Sequence, residues 1–160
     1  MGAIEDANIR LVMDHFAAES KHDYAATLLT LADDIEYRIV AHDLILTGKA
    51  GATHYYDEWW RAFPDVTIEV ERIAAAGEWV VAECVSAATH LGAFMGLPPT
   101  GRRLRSHVCA VIRVRDGKMV EETVYYDQLE RLRQLGGTLE LDGHRLELPR
   151  LDCAPGAGLE

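Results

Sequence analysis

The sequence holds few of the features that announce a chemistry. Its three cysteines, Cys84, Cys109 and Cys153, are odd in number and too few for a disulfide framework. Cys84 and Cys109 stand among apolar strand residues and read as buried thiols, which suits a reducing cytoplasm. No apolar run approaches the roughly 20 residues of a membrane span. The N-terminal MGAIEDANIR is acidic and lacks the hydrophobic stretch of a secretory signal. Positive charge is also scarce, with 16 Lys and Arg against 26 Asp and Glu and a formal net charge of −10. The deficit sits in residues 1–80, which hold 6 basic and 15 acidic residues. Nucleic-acid binding needs a basic face, and only Arg102, Arg103 and Arg105 cluster, as a solvated hairpin end does. There is no His-Glu-x-x-His, Cys-x-x-Cys, phosphate-cradling glycine loop or Gly-x-Ser-x-Gly elbow. His107 and Cys109 offer two ligands on one strand, short of the three or four that zinc takes, so no metal is expected.

What remains is an ordinary folded chain. At 160 residues and 49% hydrophobic content it can bury a core, and its length fits one domain. We place that domain at 1–137, with a C-terminal tail over 138–160 read as a poorly packed arm ending in Pro155-Gly156-Ala157-Gly158. The final Leu159-Glu160 resembles a cloning scar. Ile9, Val12, Met13 and Phe16 recur at helical spacing over about 4–19. A second short helix fits Asp23–Leu31, with Asp23 as its N-cap. Ile35, Tyr37 and Ile39 alternate as a half-buried strand, and Leu44–Thr47 is a second extended piece. From Lys49 the pattern is helical again, carrying Tyr56, Trp59, Trp60 and Phe63 until Phe63-Pro64 stops it. The period then switches to two. Val66–Val70, Trp79–Leu91, Leu104–Val114 and Lys118–Tyr126 read as strands, and 92–101 as a loop. A short helix over Gln128–Leu135 ends at Gly136-Gly137. Helices in one run and sequential strands in another predict an α+β fold: a curved, mostly antiparallel sheet wrapped with three helices around an apolar, cone-shaped pocket.

The candidate chemistry lies around Asp116-Gly117, the strongest hairpin signal in the chain. A three-residue loop, Arg115-Asp116-Gly117, would set Arg113 opposite Met119, Cys109 opposite Thr123 and His107 opposite Tyr125. Alternation then puts His107, Cys109, Tyr125 and Asp127 on one face, taken as the inner one. A one-residue slip would dissolve the cluster. An aspartate desolvated among Trp59, Phe63 and Val111 could serve as a base toward a carbon acid, with Tyr125 or His107 steadying the enolate. Asp127 also begins Asp-Gln-Leu-Glu before a helix, which is a capping-box pattern. His90 borders the glycine-rich loop and reads as a pocket residue, together with Trp59, Phe63, Cys109, Arg113 and Tyr37. His15, His22, His42, His54 and His144 read as surface residues.

At these residues the chain resembles a known family. Ala88-Thr89-His90-Leu91-Gly92, Gly96-Leu97-Pro98-Pro99-Thr100-Gly101-Arg102-Arg103 and Arg113-Val114-Arg115-Asp116-Gly117-Lys118-Met119-Val120-Glu121 run in register. Tyr126-Asp127-Gln128-Leu129 and Arg133-Gln134-Leu135-Gly136 complete the set. Over roughly residues 5–137 this is similar to the SnoaL-like polyketide cyclases (ester cyclases) of the nuclear-transport-factor-2-like superfamily. The resemblance implies a cone-shaped α+β fold, a homodimer or homotetramer, a hydrophobic small-molecule substrate and no cofactor. It implies acid/base work by Asp127 in an intramolecular aldol closure, assisted by His107 or by a residue at Arg113. It departs at Thr123-Val124, where the family commonly has tryptophan. An epoxide hydrolase, a ketosteroid-type isomerase and a non-catalytic binding protein stay open as alternatives on the same cone.

Overall fold

The structure, a computed structural model, describes residues 2–146. Helix α1 (Ala3–Ser20) leads into α2 (Tyr24–Thr30), whose N-cap Asp23 accepts from the Ala26 amide at 3.0 Å. Strand β1 (Leu31–Ile39), a 3-10 turn at Val40–His42 and β2 (Leu44–Thr47) follow, then α3 (Gly48–Ala62). Four long strands come next: β3 (Thr67–Ala76), β4 (Trp79–Thr89), β5 (Arg103–Arg115) and β6 (Lys118–Tyr126). Helix α4 (Gln128–Gln134) is followed by a small hairpin, β7 (Leu139–Leu141) and β8 (His144–Leu146). That hairpin occupies the start of the expected loose tail. Cys153 and the 155–160 end lie outside the described residues.

Strands β1 to β6 form one curved, unclosed sheet in the order β2-β1-β6-β5-β4-β3. All neighbours are antiparallel except β1 and β6. Helices α1 and α3 cover its concave face, α1 over β3 and β4 and α3 over β1. The core between them gathers Val12, Phe16, Ile35, Tyr56, Phe63 and Ile112. The buried stripe of α1 runs through Asn8, Val12, His15, Phe16 and Glu19, while Met13 is 41% exposed. The expected stripe was therefore rotated, because Met13 is apolar but points away from the sheet. No helix among the described residues is long and apolar enough to cross a membrane.

The β5–β6 hairpin corrects the expected register. Its turn has two residues, Asp116 and Gly117, with φ of 51° and 69°, and Arg115 pairs with Lys118. Both residues are left-handed, as a tight hairpin with right-twisted strands requires. A bulge then intervenes between Arg113 and Val114, so Arg113 faces Glu121 and Cys109 faces Tyr125. The shorter turn shifts the phase by one and the bulge shifts it back. His107, Cys109, Tyr125 and Asp127 thus keep a common side of the sheet. It is the outer side.

Candidate active site

Alternation along β5 and β6 decides which side chains reach the interior. Leu104, Ser106, Ala110 and Ile112 of β5 are buried, with Glu122 and Val124 of β6. The opposite phase carries the expected catalytic set. Tyr125 is 47% exposed, and the His107 side chain is 63% exposed beside Glu71. Asp127 is exposed and caps α4, accepting from the Glu130 amide at 2.9 Å. With Arg105 and Gln134 it lines a shallow outer depression. Cys109 and Arg113 share this outer face, where Arg113 pairs with Glu78 and Glu121 and lies over Trp79.

The expected binding residues divide between cavity and core. Tyr37 and Trp59 do line the interior cavity. Phe63 is fully buried against Trp59, Phe94 and His90. His90 is also buried, bonded to Thr100 Oγ1 at 3.1 Å, with its Nε2 unpartnered. Burial lowers its pKa from the usual imidazole range.

The cavity itself lies between α1, α3, α4 and the concave sheet and encloses about 50 Å³. That is room for a few water molecules at about 10–15 Å³ each. Tyr37, Tyr55, Trp59, Phe16 and Val124 supply its apolar wall, and Glu19, Glu122, Ser86 and Arg131 its polar points. Cys84 also faces it, but burial pushes that thiol up to about 12, so it is no thiolate nucleophile at neutral pH.

Two carboxyl groups and an imidazole meet at one end. Glu19 of α1 and Glu122 of β6 are both buried, and His15 Nε2 stands 3.8 Å from Glu19 and 3.9 Å from Glu122. His15 Nδ1 lies 2.7 Å from Thr30 Oγ1, whose own proton goes to the Thr27 carbonyl at 2.6 Å. Thr30 Oγ1 must therefore accept, so Nδ1 carries the hydrogen and the Nε2 lone pair accepts from the Tyr56 hydroxyl at 3.5 Å, with the two acids just beyond. Burial depresses His15 to about 4, leaving it neutral at pH 7. It brings the acids no counter-charge. Burial accordingly pushes Glu19 up to about 7, and Glu122 goes well above the usual carboxylate range through burial and the nearby Glu19. Glu122 Oε2 is buried with no hydrogen-bond partner. Proton-exchanging groups held like this in a lined cavity are candidates for acid/base work.

His15, Glu19, Glu122 and Arg131 were not among the expected site residues, and His15 was expected at the surface. His42 also lies inward, half-buried, with Nε2 3.1 Å from the Tyr126 hydroxyl. Among the described residues no cluster of three or more His, Cys, Asp or Glu side chains is placed to hold a metal.

Comparison with known proteins adds the lineage. The family profile for SnoaL-like polyketide cyclase matches residues 7–135. Over 80 residues, 49% of this chain, the sequence is 36% identical to the nogalonic acid methyl ester cyclase of Streptomyces nogalater. The matched part spans 60% of that enzyme's length. Among solved structures, AclR of Streptomyces galilaeus superposes with a TM-score of 0.72 at 29% identity, covering 81% of this chain and 80% of its own. IdmH of Streptomyces antibioticus gives 0.72 at 27% identity, covering 81% and 98%.

Proposed function

Since the chain belongs to the SnoaL-like polyketide cyclase family, we propose that it closes a ring in a polyketide-derived ester by an intramolecular aldol reaction, using Glu19 and Glu122 as its acid/base pair. The observation that carries this is the unpartnered Glu122 carboxyl oxygen, buried at an aromatic-walled cavity with the Glu19 carboxyl group, both within 4.0 Å of His15 Nε2. Two like groups that cannot both ionise keep a base and an acid side by side near neutral pH. The ionised member takes a proton from a carbon flanked by carbonyls. The enolate carbon then bonds to the ketone carbon, and the protonated member delivers its proton to the ketone oxygen. Protons alone move, so the route consumes no cofactor. Neutral His15 keeps its one hydrogen on Nδ1, committed to Thr30, and so brings the pair no positive charge at pH 7.

In this scheme the acid/base role falls to the buried pair rather than to Asp127, which serves as a helix cap. A methyl ester of the nogalonic type is the substrate to try first, because the relative's name carries that chemistry. Such a multi-ring molecule exceeds a cavity of about 50 Å³, so binding displaces side chains of its wall. Glu122→Gln is expected to lower kcat by about 10²–10⁴-fold, the usual worth of a positioned acid or base. Asp127→Asn, which keeps a capping oxygen, is expected to leave turnover within a few-fold of the parent. Full activity of Glu122→Gln with a dead Asp127→Asn would transfer the role to Asp127.

A further inference from the structure

Further along β6 from Glu122, against Tyr126, the same cavity wall holds a buried cation with no carboxylate beside it. Arg131 of α4 is 2% exposed and lines the cavity wall. Its Nε donates to Ser106 Oγ at 2.9 Å. Its guanidinium carbon sits 3.4 Å from the Tyr126 ring centroid and 5.1 Å from that of Trp59. Its Nη1 is buried and has no hydrogen-bond partner. Among the described residues no carboxylate lies within 4.0 Å of it, and Glu130 on the same helix is taken by Arg133 and Gln134.

An ionised group removed from water needs a counter-charge and filled hydrogen bonds, and aromatic faces supply only part of either. We propose that Arg131 is an oxyanion-binding residue, and that the ligand of this cavity is a planar aromatic or enolic molecule whose ionised oxygen docks on Nη1. The π-faces of Tyr126 and Trp59 hold the guanidinium plane in place, while the Ser106 bond fixes its roll. The free N–H is left for the ligand. Burial also pulls the Arg131 pKa below the usual guanidinium range, opposed by the surrounding tyrosines. An enolisable polyketide carries such an oxygen, so the site adds a charge requirement to the substrate class proposed above and rests on that reading for calling the ligand a substrate. The separation is chemically apt. The carboxyl pair works on carbon-bound hydrogen, and Arg131, beside Tyr126 further along β6, holds negative charge.

The test uses 4-nitrophenol, whose visible absorbance reports its ionisation, and 4-nitroanisole, its neutral near-isostere. The wild-type protein is expected to bind the phenolate at least about tenfold more tightly than the anisole. It is also expected to lower by at least about one pH unit the midpoint at which the bound phenol ionises. Arg131→Met should lose both effects while still binding the anisole, and Arg131→Lys should keep part of the phenolate preference. Equal wild-type affinity for the two probes, or a bound phenol that ionises no earlier than the free one, overturns the proposal without any variant. A folded Arg131→Met that keeps the preference overturns it as well. Phenolate binding with no cyclisation of any ester tried would sink the cyclase reading and leave the oxyanion site standing. Cyclisation without phenolate preference would do the reverse.

Discussion

Asp127 spends its carboxylate on the first turn of α4, and that helix carries Arg131 into the cavity. The cap is thus a stability device with a functional consequence. Asp127→Ala should cost about 1 kcal/mol, the usual loss of a side-chain cap, and lower Tm by a few degrees. Asp127→Asn should be nearly neutral, because asparagine caps as well. A thermal melt of the two variants checks this: equal losses would mean that charge rather than the capping oxygen matters. The cap was readable from Asp-Gln-Leu-Glu, but the buried acids were not singled out, for a physical reason. Glu and His are seldom fully buried, so residues of these types default to the surface in any reading by composition. Spacing carried the missing signal. His15 and Glu19 follow Val12 by three and seven residues, on the stripe that also holds Phe16. Glu122 shares the phase of Val124 and Tyr126. A charged residue in step with an apolar stripe is the sign that could have found this site.

At the scale of elements, the helices and long strands were legible because each carried its own period and its own stop. Pairing was less so. The Asp116-Gly117 turn was recognised, but its length and the bulge after Arg113 depend on how the sheet curves, which no local pattern records. The β7–β8 hairpin was missed although Asp142-Gly143 repeats the same turn chemistry, with φ of 50° and 77°. Its three-residue strands are too short to show alternation. A tie between elements is equally invisible in sequence. Leu91 and Gly92 both donate to the Ala62 carbonyl, fastening the end of β4 to the end of α3. A Cβ on Gly92 would stand 2.2 Å from the Arg61 carbonyl oxygen, a backbone atom that cannot swing aside. Gly92→Ala should therefore force the two ends apart and destabilise by about 1–3 kcal/mol, as overpacking does. A urea titration would read this as a lower midpoint at unchanged slope. An unchanged midpoint would show that the tie is dispensable.

Across the whole molecule, burying two acids and an imidazole together makes stability a function of pH with a defined shape. Unfolded His15 takes a proton near 6.5, while the folded protein refuses it until about 4, so stability is lost as pH falls through that interval. Glu19 runs the other way. Folded, it holds its proton up to about 7, and unfolded it lets go near 4.5, so its contribution is full below 4.5 and lost as pH rises through 7. Each interval is worth on the order of 3 kcal/mol. Between 4.5 and 6.5 those two slopes oppose each other and nearly cancel, but Glu122 also keeps its proton when folded and loses it near 4.5 when unfolded, so a decline of about one proton remains. Above 6.5 only the carboxyl groups act, and Glu122, raised further still, prolongs the decline. The expected curve declines gently from about 4.5 to 6.5 and more steeply above, by a few kcal/mol in all toward pH 9. A net charge of −10 adds self-repulsion to any alkaline loss, so the wild-type curve alone does not isolate the pair. The double variant Glu19→Gln, Glu122→Gln does, since it removes both ionisations while keeping size and polarity. Denaturant midpoints from pH 5 to 9 should show its alkaline limb flattened relative to the parent. A limb of equal steepness in both proteins would mean that the folded protein already ionises both carboxyls below pH 5, as the unfolded chain does, and the acid/base pair would lose its basis.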